Sequence, residues 1–121
     1  MGKYIKIVDD LHDKRGNIFI TSHGGVDYLL IHTNKGYLRG GEIHRGTQYN
    51  LLISGKIRWT TPENEIIYTT PTLFTTPGDT PHMMESLTDS LILEWREYPI
   101  ENPPNYYDPY RSLIKRSMEE P

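Results

Sequence analysis

Four side chains have the types and spacing for chemistry. Glu42, His44 and Gln48 lie in RGGEIHRGTQYNLLISG (39–55), and His82 lies in TTPGDTPHMMES (75–86). An imidazole near neutral pH both takes and returns a proton, and a carboxylate does the same once desolvation raises its pKa. Two imidazoles, one carboxylate and one amide oxygen are also a workable donor set for Zn, Ni, Mn or Fe. Side chains two apart on a strand share a face, so Glu42 and His44 point the same way. A turn or bulge at Arg45-Gly46-Thr47 then returns Gln48 to that face, with Asn50 and Leu52 following it inward. A plainer alternative stays open for each residue taken singly, because a buried polar group needs a hydrogen-bond partner and not an ion or a substrate.

The elements that position these residues are strands. Short runs rich in Ile, Leu, Val, Tyr and Thr alternate with Gly, Pro and Asn, the pattern of antiparallel sheets. Strands are predicted at Tyr4–Val8, Asn17–Ser22, Val26–Thr33, Tyr37–His44, Gln48–Ser54, Lys56–Thr61, Glu65–Thr70, Thr72–Thr76, His82–Thr88 and Ser90–Glu97. So many strands in one small domain must close as a barrel or stack as a sandwich to hide their edges. After Pro99 the chain reads as an extended arm, 100–107. Asp108 as N-cap and Pro109 at the first helical position then open one short helix, with Leu113, Ile114 and Met118 on one face. The predicted fold class is all-β, with residues 1–98 as the barrel and 99–121 as an arm and helix packing on the barrel or on a neighbouring subunit.

Bulk composition narrows the function classes. The chain has 121 residues, enough for one core, and a net charge of −3 without a basic field that would gather nucleic acid. There is no apolar run of membrane-spanning length and no secretory signal, so the expected location is the cytoplasm. With no cysteine, thiolate chemistry and disulfides are excluded. Met83, Met84 and Trp95 read as core or pocket lining, and His12, His23 and His32 as solvent-facing residues in or beside turns. The Pro-rich arm is expected to cover an apolar outer face or edge strand on a neighbour, giving an isologous dimer.

Residues 36–97 resemble the cupin superfamily. His44 matches the second histidine of its first motif, Gln48 stands at the motif glutamate, Gly55 at the closing glycine, and Glu42 replaces the first histidine. Pro77, Gly78, Asp79 and His82 match the second motif. The resemblance implies a double-stranded β-helix, or jelly roll, and a metal set of Glu42, His44, Gln48 and His82, with a metal-free site as the open alternative and no organic cofactor. A narrower resemblance is to nucleotide-sugar 3,4-ketoisomerases and, more distantly, 3,5-epimerases. It rests on DKRGNI (13–18), RGGEIHR (39–45) and YYDPYRSLI (106–114). It implies an isomerase or epimerase acting on a sugar or sugar nucleotide by proton transfer, with His44, His82 and Glu42 catalytic and Arg39, Arg15, Gln48 and Asn50 binding substrate. A bidentate guanidinium suits a diphosphate, which singles out Arg39. A non-catalytic small-ligand module and a metal-dependent oxygenase are the alternatives.

Overall fold

The computed structural model describes residues 7–101 and 103–119, with side chains from Leu11 onward. Ten strands run in chain order: β1 (Ile7–Asp13), β2 (Gly16–His23), β3 (Val26–Thr33), β4 (Leu38–Glu42), β5 (Gln48–Ser54), β6 (Lys56–Thr60), β7 (Glu65–Thr69), β8 (Thr72–Thr76), β9 (His82–Ser86) and β10 (Ser90–Arg96). One helix, α1 (Asp108–Glu119), follows them. A six-stranded sheet, ordered β1-β2-β3-β10-β5-β8, faces a four-stranded sheet, β4-β9-β6-β7, and every named pairing is antiparallel. This is the predicted all-β jelly roll.

The core lies between the sheets. Period-two alternation turns Leu29 and Ile31 of β3, Leu52 of β5, Ile57 and Trp59 of β6, Phe74 of β8, Met84 of β9 and Ile92 of β10 inward, where they form one buried cluster. The expected strands are present with small shifts at their ends. The exception is β1, which runs on to Asp13 through the polar stretch DDLHD. Pairing with β2, Leu11 opposite Ile18 and Asp13 opposite Gly16, holds that segment extended against its weak strand propensity. Tyr4–Lys6 of the first predicted strand lie outside the described residues.

Three side-chain expectations are corrected. Trp95 is not core: it faces outward from β10, half-buried, stacked on Tyr49 at 5.5 Å between ring centroids. His32 lies within β3, not beside a turn, and its carbonyl accepts a hydrogen bond from Arg39 Nη2. Leu113 is 41% exposed, so the packing face of α1 is built on Ile114, 2% exposed, with Met118 one turn on. The helix also begins one residue early: the Tyr107 carbonyl accepts from the Arg111 N–H, which puts Asp108 in the first turn, where its charge suits the helix dipole.

The arm lies along this chain's own β4. Tyr107 N–H donates to the Gly41 carbonyl, Ile43 N–H donates to the Asn105 carbonyl, and Glu42 and Tyr106 form a bridge between the segments. The helix then settles on Gly41, where a Cβ would lie 2.7 Å from Arg111 Cδ and 3.1 Å from Ile114 Cδ1. Gly41 (φ +70°) also sits at the register shift in β4 between Gly40 and Glu42. Among the described residues no helix is long and apolar enough to cross a membrane.

Candidate functional site

Two loops bring the sequence motifs together. His44 follows the end of β4, and His82 opens β9 directly opposite Glu42. The loops are locked by Asp79 N–H donating to the His44 carbonyl at 2.7 Å, and by glycine against glycine: a Cβ on Gly78 would lie 2.8 Å from the Gly46 nitrogen. Gly46 itself has φ +77°, a conformation that costs other residues energy. The imidazoles of His44 and His82 consequently sit 5.0 Å apart, and the far face of His82 stacks on Trp59 at 5.3 Å, nearly parallel.

These groups line a cavity of about 260 Å³ between β4 and the β1–β3 side of the larger sheet. Its wall includes Glu42, His44, His82 and Glu94, with Arg15, Arg39, Arg96 and Arg111 around them and Tyr106 of the arm at its edge. That volume falls just below the roughly 300–1,000 Å³ usual for small-molecule pockets, so it suits a group no larger than a single sugar. A second hollow of about 320 Å³ lies beyond Trp59, lined by Tyr68, Asn64 and the 75–81 loop, and it holds none of the predicted site residues.

Protonation follows from burial. His82 Nδ1 lies 3.0 Å from the Thr80 carbonyl, an acceptor only, so Nδ1 carries the hydrogen and Nε2 keeps its lone pair. Desolvation, against the favourable Thr80 contact, pulls the His82 pKa below the usual imidazole value. For His44 desolvation, then Arg96 and His82, pull it down to about 3, so this ring is neutral at pH 7. Glu42 moves the other way: burial and the charge of Glu94 raise its pKa, with Arg96 and Arg111 opposing. Arg39 is lowered to about 10 by burial and Arg15, and still carries its charge at pH 7.

Of the predicted substrate-binding residues, Arg39 and Arg15 reach the cavity, and both are engaged from behind. Arg39 Nε donates to Thr33 Oγ1 at 2.7 Å, and Arg15 pairs with Asp13 at 2.8 Å. Gln48 and Asn50 are corrected: at 1% and 0% exposure neither lines the cavity. Gln48 Nε2 donates to Asn50 Oδ1 and Glu94 Oε1, and Asn50 Nδ2 points to the Phe74 carbonyl, so the pair braces the floor instead of meeting a ligand.

The predicted metal set does not assemble. Gln48 turns its amide nitrogen to Asn50 and Glu94, leaving its oxygen without a partner, and no three His, Cys, Asp or Glu side chains converge on a common point among the described residues. The four predicted donors thus form no clear metal site among the described residues.

Sequence reasoning missed Glu94 and Arg96, and it held Tyr106 and Arg111 only within the YYDPYRSLI resemblance, without assigning them to the site. Glu94 and Arg96 form a buried pair at 3.0 Å, with 10% and 9% side-chain exposure. Arg111 donates to the Gly40 carbonyl and lies over the Tyr106 ring at 4.4 Å. The strand pattern did carry a signal for Glu94, which stands two residues from inward-facing Ile92.

No protein-family model and no curated protein matches this sequence. Solved structures do match in fold. A cupin superfamily protein from Desulfitobacterium hafniense is 13% identical with a TM-score of 0.63, over 80% of this chain and 84% of that one. The capsular polysaccharide assembling protein CapF from Staphylococcus aureus is 20% identical at 0.63, over 81% of this chain and 33% of CapF. A salicylate 1,2-dioxygenase from Pseudoaminobacter salicylatoxidans is 10% identical at 0.57, over 60% of this chain and 20% of the enzyme.

Proposed function

With the cupin fold as the premise, we propose that this chain is an isomerase- or epimerase-type enzyme that moves a proton beside the carbonyl of a sugar, carried as a sugar nucleotide. The observation that carries this reading is His82, with Nε2 unprotonated, beside Glu42 and neutral His44 in a cavity walled by four arginines.

Proton transfer needs groups whose protonation can change near the working pH. Glu42, with its pKa raised, and His82, with its basic nitrogen open, are the pair suited to removing a proton from carbon and returning it. His44 has too low a pKa to be an effective base, and a neutral imidazole acts instead by hydrogen bonding to the substrate oxygen that gains charge. Arg96 and Arg39 favour that charge, and Arg15 and Arg111 at the wall suit a phosphate or carboxylate on the rest of the ligand. All of these groups act without a bound ion, and the carbohydrate class agrees with the fold shared with CapF, a capsular polysaccharide assembling protein. A metal-dependent oxygenase would need a ligand set that the described residues do not assemble.

The test is conversion. Purified protein incubated with nucleotide-linked 4-keto sugars should shift the carbonyl or invert a neighbouring carbon, followed by NMR. A non-catalytic binding module would bind these compounds and return them unchanged, which would overturn the proposal.

A further inference from the structure

The six-stranded sheet carries apolar residues on both faces. Its inner face holds the core residues Leu29, Ile31, Leu52, Phe74 and Ile92 beside buried Gln48, Asn50, Glu94, Thr33, Thr76 and Ser90. Its outer face carries two apolar rows. One crosses five strands, Phe19–Leu30–Leu93–Leu51–Leu73, each residue paired with the next. The second is Tyr28–Trp95–Tyr49, in ring contact at 6.2 and 5.5 Å. A sheet with one face in water normally carries polar residues on that face. No element of the described chain covers these rows: α1 and the arm lie on β4, in the other sheet.

From these observations we propose that the outer face of β2-β3-β10-β5-β8 is the contact surface for a second copy of this chain, packed sheet on sheet about a two-fold axis. Charge selects the occupant. The outward positions of these five strands hold no Asp, Glu, Lys or Arg, in a chain that is 24% charged. A two-fold contact sets each residue against its own neighbourhood, so a charged face would repel itself and a charge-free one does not. Loss of charge with retained Tyr, Trp and Leu is also what interface cores show.

Five strands about 4.8 Å apart and about five residues deep span roughly 24 by 17 Å, or about 400 Å² in projection. Most of these side chains are half-buried by their neighbours, so the face is smaller than the ~800 Å² per partner of a standard interface and suits a weak, reversible dimer. Isolated exposed apolar residues need no partner, whereas a continuous apolar patch of several hundred Å² is often a contact surface. This inference is independent of the proposed chemistry.

Analytical ultracentrifugation at about 50 μM chain, well above a micromolar Kd, should give twice the chain mass. Leu93→Lys, at the middle of the ladder, should raise the dimer Kd by at least about 100-fold. Leu73 is already 64% exposed in the single chain, so Leu73→Lys leaves folding intact and should still weaken the dimer measurably. A wild-type monomer at that concentration would overturn the proposal. So would a dimer whose mass and Kd are unchanged in Leu73→Lys, since a different surface would then hold it.

Discussion

Replacing Glu94 by glutamine tests whether the floor of the cavity is an electrostatic device or mere filling. The side chain is the same size, yet it is neutral, and its NH2 must face one of the two donors that the carboxylate now accepts from, Arg96 at 3.0 Å or Gln48 at 3.1 Å. Arg96 already has one buried nitrogen, Nε, without a partner. The substitution therefore leaves a positive charge, 9% exposed, beside two imidazoles. Breaking a buried pair from one side costs about 3–5 kcal/mol, whereas replacing both members by apolar groups is often near neutral. Glu94→Gln should thus destabilise by about 3 kcal/mol, a loss of roughly 10–15 °C in Tm at about 3–5 °C per kcal/mol for a chain of this size. The double variant Glu94→Gln/Arg96→Met should recover at least about 2 kcal/mol of that loss as coupling. Urea and thermal melts of the wild type, both singles and the double close the cycle. Additive effects, or a cost below about 1 kcal/mol for Glu94→Gln, would refute the reasoning.

His44 and His82 have pKa values lowered on folding, so between their folded values and the usual imidazole value the unfolded chain binds more protons, and stability falls as pH drops below about 6.5 by up to about 1.4 kcal/mol per pH unit for each ring. Glu42, raised, acts in the opposite sense above the usual carboxylate value, so His44→Phe should flatten the acid limb of a Tm–pH curve; an unchanged limb would contradict the assigned burial. Gly78→Ala sets a methyl 2.8 Å from Gly46 and should part the two histidine loops. It should cost about 1–3 kcal/mol and a larger share of activity, checked by melts and turnover together. Removing divalent ions with a chelator should leave Tm and turnover unchanged, as elemental analysis beside both assays would establish.

Much of this site was legible because alternation is a strong local signal. Glu42 and the two motif histidines reach one cavity, and the Gly- and Pro-rich turns fall where the strands reverse. What stayed hidden depended on depth and on distant chain. Gln48 and Asn50 do turn inward as the pattern requires, but alternation tells a side and not how far below the floor a residue lies. Glu94 and Arg96 sit in SLILEWR, where outward Leu91, Leu93 and Trp95 are as apolar as anything inside, so composition alone read Trp95 as core or pocket lining and gave Glu94 no role. Arg111 and Tyr106 stand in the YYDPYRSLI stretch that carried a resemblance, but they reach the cavity because the arm pairs with β4, a tertiary event that local pattern does not encode.

The claim that His82 and Glu42 move a proton at a sugar carbon is tested most directly by solvent exchange. In D₂O, with a nucleotide-linked 4-keto sugar, NMR should show deuterium entering at the carbon beside the carbonyl with wild-type protein. His82→Asn keeps a donor toward Thr80 but loses the basic nitrogen, and should slow that entry by at least about 100-fold, within the ~10²–10⁴-fold usual for acid–base groups. Glu42→Gln should do the same. Exchange at the wild-type rate in both folded variants, or none with the wild-type protein, would contradict it.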